Sequence, residues 1–68
     1  MQRQNPYLFG VAIKLRGMPI KYVTDRTNLW RRPQAPSMDY GTAKRLKDDT
    51  VEYFGKQENV EYATLIRE

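Results

Sequence analysis

The stretch Tyr7-Leu8-Phe9-Gly10-Val11-Ala12-Ile13-Lys14-Leu15-Arg16-Gly17, YLFGVAIKLRG, decides how this chain folds. Its odd positions, Tyr7, Phe9, Val11, Ile13 and Leu15, are all large and apolar. Its even positions run Leu8, Gly10, Ala12, Lys14 and Arg16. A period of two with one apolar face predicts a strand buried on one side. Arg16-Gly17 supplies a turn, because glycine takes positive φ without steric cost. Met18 to Thr24 then predicts a second strand, so the two runs make a β-hairpin.

Outward from the hairpin the pattern changes. Asp25 to Ser37 shows no period and contains Pro33 and Pro36, which predicts one long loop over residues 25–37. A helix should follow, capped by Ser37 or Asp39, whose side-chain oxygens accept a backbone N–H. Ala43, Leu46, Thr50, Tyr53 and Phe54 recur at three- and four-residue steps and form its inward stripe. Gly55 is placed to end the helix in the left-handed conformation. Gly41, in the first turn, suggests a close neighbour that a side chain would strike. Val60 to Arg67 reads as a last strand, with Val60, Tyr62, Thr64 and Ile66 on the helix side.

These elements predict an α+β fold: a single ββαβ domain over residues 1–68, with residues 1–6 a flexible N-terminus. The crossover through the helix should be right-handed. The last strand then returns beside the first, giving a three-stranded sheet of order 2-1-3 with the helix on one face. The first strand, the most apolar, takes the centre. Pro19 suits an edge for the second. A chain of 68 residues buries only ~60% of its unfolded surface, so stability should be modest, roughly 3–10 kcal/mol.

Composition removes several chemistries. There is no cysteine and no histidine, so disulfides, thiolate sites and imidazole bases are out, and no metal or other cofactor is expected. Phosphate-cradling glycine motifs are missing too. The densest carboxylate group, Asp48, Asp49 and Glu52, sits among Lys44, Arg45 and Lys47, where i,i+4 ion pairs are its natural use. No catalytic residues are assigned, and an enzyme is not expected. No apolar run reaches the ~20 residues that cross a bilayer, and no signal-peptide pattern opens the chain. A cytoplasmic, non-membrane protein is therefore the expectation.

Charge and one tryptophan point to binding. The net charge is +4. Residues 1–34 hold seven Lys/Arg and one Asp, for +6, and residues 35–68 hold five Lys/Arg and seven Asp/Glu, for −2. That split favours an acidic partner for the first half. Trp30 stands beside Arg31 and Arg32 in the long loop, a residue pairing typical of binding hot spots. Trp30 is equally suited to anchor the loop on the core. The face opposite the helix should carry Gly10, Ala12, Lys14, Arg16, Lys21, Val23, Ala63, Leu65 and Arg67, a patch of small residues ringed by four cations. Tyr7, Phe9, Tyr22 and Tyr62 should lie on the helix side, which argues against base stacking on the open face. A slip of one residue would exchange the faces. The edge of the second strand offers a further docking line.

In element pattern the chain resembles small bacteriophage proteins that bind and redirect a host enzyme. The resemblance spans most of the chain and carries over no motif residue. Small size, the missing catalytic residue types, the Trp-Arg-Arg loop and the charge split point to a small non-enzymatic interaction module that binds and modulates, or inhibits, a larger protein machine. Its partner would be an acidic protein surface met by Trp30, Arg31, Arg32, Lys14, Arg16, Lys21 and Arg67. The alternative is a small basic nucleic-acid-binding protein that contacts phosphates through the hairpin and the Trp-Arg-Arg loop.

Overall fold

A computed structural model describes residues 8–67. The expectation of a flexible segment at 1–6 lies outside the described residues. Five elements follow in order: β1 (Phe9–Leu15), β2 (Lys21–Asp25), β3 (Asn28–Trp30), α1 (Tyr40–Gly55) and β4 (Val60–Arg67). They form a four-stranded antiparallel sheet of order β3-β2-β1-β4, with α1 over β1, β4 and β2.

The central strand behaves as its period demands. Val11, Ile13 and Leu15 are buried at 0–3% exposure. They pack with Val23 and Ala43, and Phe9, Leu46, Phe54, Ala63 and Leu65 close the core around them. The turn after β1 is tight: the Met18 N–H donates to Leu15 O at 3.1 Å. Gly17, at φ 80°, is the one described residue with positive φ, which is the geometry of a type II turn. β2 begins at Lys21 rather than Met18, so Pro19 falls outside the sheet and never has to donate to the ladder.

The sheet has a fourth strand. The expected order 2-1-3 holds for β2, β1 and β4, but β3 adds to the outer side of β2. The expected loop at 25–37 is therefore broken by a hairpin. Its turn is built by Asp25, whose carboxylate accepts the Thr27 N–H (2.9 Å), the Thr27 hydroxyl (3.1 Å) and the Asn28 amide (3.0 Å). Three residues are too few to show a period, so Asn28-Leu29-Trp30 is invisible to pattern. Because β2 is internal, the docking line expected along its edge does not exist; among the described residues the edges are β3 and β4.

Asp39 caps α1, its carboxylate accepting the Thr42 N–H at 3.2 Å. Ala43 and Thr50 are fully buried, Leu46 and Phe54 half-buried, and Tyr53 is exposed against the edge of Phe54. Gly55 does not turn left-handed. The helix runs through it to Lys56, and Phe54 O accepts the N–H groups of Lys56, Gln57 and Glu58. A Cβ at Gly41 would meet nothing within 4 Å, so no close neighbour explains that glycine.

Candidate binding face

Which side chains face away from α1 follows from the register. Val11 pairs with Leu65 and Ile13 with Ala63, so Ala63 and Leu65 share the helix side with the core residues of β1. Ala12 pairs with Tyr22 and with Thr64, and Lys14 pairs with Tyr62. Residues directly opposite in a ladder share a face. The open face therefore carries Gly10, Ala12 and Lys14 of β1, Tyr22 and Thr24 of β2, Trp30 of β3, and Tyr62, Thr64 and Ile66 of β4.

That overturns half of the expected face. Lys21, Val23, Ala63, Leu65 and Arg67 lie on the helix side, since Lys21 pairs with Ile13 and Arg67 with Phe9. Tyr22 and Tyr62 lie on the open side. The assignment of β1 stands; those of β2 and β4 are each shifted by one. In β4 both alternations, Val60-Tyr62-Thr64-Ile66 and Glu61-Ala63-Leu65-Arg67, mix apolar and polar residues, so the pattern does not choose between them. A register shift opposite Lys14 and Leu15 sets Val60 against Leu15 and makes Glu61 the extra residue of a bulge. In Lys21-Tyr22-Val23-Thr24 the one cue was Val23, the sole aliphatic residue of the strand.

The result is a row of side chains across the whole sheet. Trp30, Tyr22, Ala12 and Thr64 stand abreast on β3, β2, β1 and β4. Strands lie ~4.8 Å apart, so the row spans roughly 14 Å. Trp30 is 52% exposed and Tyr62, one row further along, 50%. Ala12, between them, is only 1% exposed. Trp30 belongs to a strand and is exposed, whereas its sequence context suits a loop residue or a core anchor. Leu29, which pairs with Val23, takes the inward place.

The remaining loop frames this face. After Trp30, Arg31 and Arg32 are exposed, and Gln34 Nε2 donates to Arg32 O at 3.2 Å. The chain then crosses above Gly10, where the Pro36 Cα stands 3.6 Å from an ideal Gly10 Cβ. Phe9 and Met38 pin it there, exchanging N–H···O bonds of 2.7 and 3.0 Å. A cleft of about 290 Å³ remains between loop and sheet, lined by Tyr22, Thr24 and Ile66 below and Gln34, Ala35 and Ser37 above.

Of the expected contact residues, Trp30 and Lys14 share the open face and Lys21 and Arg67 lie on the helix side; Arg31 and Arg32 are exposed directly after β3, and Arg16 is exposed beyond the end of β1. Lys14 Nζ lies 3.6 Å from the Glu61 carboxylate, so part of its charge is met within the chain. In the carboxylate group of α1, Asp48 is paired with Lys44 at 3.5 Å and Lys47 at 3.6 Å. No helix among the described residues is long and apolar enough to cross a membrane. Comparison of the chain with protein-family models, with curated proteins and with solved structures finds no match.

Proposed function

We propose that this protein is a non-enzymatic binding module that takes single-stranded nucleic acid on the open face of its sheet. The observation that carries this reading is the placement of Trp30, Tyr22 and Tyr62 on that face. Bases stack on exposed aromatic rings with little regard to sequence, each such contact being worth ~1–3 kcal/mol. Lys14, Arg16, Arg31 and Arg32 would take the phosphates, and the +6 of residues 1–34 supplies the field that draws them in. Work in the cytoplasm belongs to the same proposal. The test is titration of the full chain with an oligothymidylate, followed by Trp30 fluorescence. Emission should be quenched, affinity should fall with salt at a log–log slope of about −0.7 per phosphate engaged, and Trp30→Ala or Tyr62→Ala should weaken binding about tenfold or more. Absence of binding at low salt would sink the reading.

A second reading keeps the same face and changes the partner: a module that binds and modulates, or inhibits, a larger protein machine, in the manner of small phage accessory proteins. It is favoured by the exposed Trp30 beside Arg31 and Arg32, a composition common at protein hot spots. Nuclease-treated pulldowns separate the two. A protein partner survives nuclease and is lost with Arg31→Glu/Arg32→Glu.

A further inference from the structure

β1 and β2 part beyond Ala12 and Tyr22, where their ladder ends. Both strands run on, β1 back to Phe9 and β2 forward to Asp25. There Phe9 takes Met38 as its partner instead. The cleft of about 290 Å³ lies in this fork, with Gly10 and Val11 on one arm, Val23 and Thr24 on the other, and residues 34–38 closing it. Small-ligand sites start at roughly 300 Å³, so there is room for one ring system and not for a length of peptide.

The charge around the cleft is divided. No Lys, Arg, Asp or Glu lines it, although such residues make up 29% of the chain. A cation adjoins the rim: Gln34, which lines the cleft, donates from Nε2 to Arg32 O at 3.2 Å, and Arg32 is exposed. A neutral interior beside a cationic rim suits a ligand whose flat part is uncharged and whose neighbouring part is an anion. A nucleotide has that form. An acidic side chain would find no cation inside. An aliphatic one would strip water from Gln34, Thr24 and Ser37 and return no hydrogen bond. The half-buried Tyr22, also in the lining, offers a ring on which a base can stack.

Bonds already made decide what the lining has left to offer. A carbonyl only accepts, so Gln34 must turn its nitrogen to Arg32 O, and its Oε1 keeps two lone pairs. Thr24 gives its one hydroxyl hydrogen to Asn28 O at 3.1 Å and keeps only acceptor capacity. One amide hydrogen of Gln34 remains against the lone pairs of two oxygens, so the two residues act chiefly as acceptors. Cytosine and adenine present an exocyclic amino group, which donates; thymine and uracil present a carbonyl.

We propose that this cleft holds one base of the bound strand and selects a base with an exocyclic amino group, cytosine or adenine over uracil or thymine. The base site presupposes the single-stranded ligand of the proposed function and adds a preference to it. Stacking on Trp30 and Tyr62 alone would be indifferent to the base.

Oligodeoxycytidylate and oligodeoxyuridylate of one length test it, because the two share backbone, ring size and charge. Titrated at one salt concentration and followed by Trp30 fluorescence, the wild-type chain should bind the cytidylate about tenfold more tightly. Gln34→Met, which keeps the length of the side chain, should lower the cytidylate to the affinity of the uridylate and leave the uridylate unchanged. Thr24→Val should reduce the preference in the same sense. Circular dichroism establishes that each variant is folded. In magnetic resonance spectra of the isotope-labelled wild type, the Gln34 side-chain amide and the Gly10 backbone amide should shift more with the cytidylate than with the uridylate. Cytidine monophosphate, a base without a strand, should bind about tenfold more weakly than the oligonucleotide or worse. Equal affinity of the wild type for the two oligonucleotides overturns the base site and leaves the single-strand reading standing. A preference that survives in both folded variants overturns it too, as does a mononucleotide that binds as tightly as the strand, which would make the cleft a site for free nucleotides. A chain that binds neither oligonucleotide overturns both readings and leaves the cleft to a protein side chain or to none.

Discussion

At the scale of single residues, Thr50 is the exception in an otherwise apolar interior. It is fully buried, and its hydroxyl has no hydrogen-bond partner among the described residues. An unpaired buried hydroxyl carries a desolvation cost that a methyl group of the same shape does not. Thr50→Val should therefore raise stability by about 1 kcal/mol, read as a higher urea midpoint with unchanged slope. Position 50 was legible in the sequence as part of the inward stripe of the helix. What the stripe could not convey is that its hydroxyl goes unanswered, because that depends on which residues of β1 and β4 lie beneath it.

At the scale of elements, two aspartates set boundaries. Asp25 folds the β2–β3 turn and Asp39 starts α1. The Thr27 backbone N–H, with the Asn28 and Thr27 side chains, holds the Asp25 carboxyl below its ordinary value of 3.8. The Thr42 side chain and backbone do the same for Asp39, from the same ordinary value of 3.8. A carboxyl whose pKa is lower folded than unfolded stabilises the fold above the unfolded value, and that contribution is lost as pH falls through the folded value. Melting temperature should therefore decline as pH drops below about 3.8. In Asp25→Asn the decline should be shallower, since one of the two groups no longer titrates. Asp39 was readable beforehand, because an Asp before an apolar stripe is a recognisable cap. The turn at Asp25 was not. It rests on a side chain bonding two and three residues ahead, within a stretch that also holds no period. The same shortfall hid the open face: β1 declares its inward side through four large apolar residues, Phe9, Val11, Ile13 and Leu15, whereas β2 offers one valine and β4 two mixed alternations. Register, supplied by pairing with β1, decided both.

At the scale of the whole molecule, one core joins every element except β3's tip, so the domain should unfold as a unit. Trp30 fluorescence reports from β3 at one edge and far-UV circular dichroism chiefly from α1. Their urea midpoints should coincide, with a stability of roughly 3–10 kcal/mol. A separate early loss of the Trp30 signal would show the β2–β3 hairpin melting on its own. The outline of the fold could be read from sequence because it depends on one strongly patterned strand and one strongly patterned helix. The binding face could not, because it is made of residues that no single element's pattern assigns.

The pairing of β1 with β4 has a consequence for how the chain comes into being. Phe9 lies opposite Arg67 and Val11 opposite Leu65, so the central strand waits for the last one. During synthesis β1, β2 and β3 emerge first and can form only a meander in which β1 is an unpaired edge with nothing on its apolar face. The sheet closes when β4 has left the ribosome, after α1 has already had time to coil. Contacts that span so much of the sequence carry a loop-closure cost before they return anything, and they place the slow step late. The chain is thus least protected until β4 has emerged, and among the described residues that strand is also an edge of the sheet.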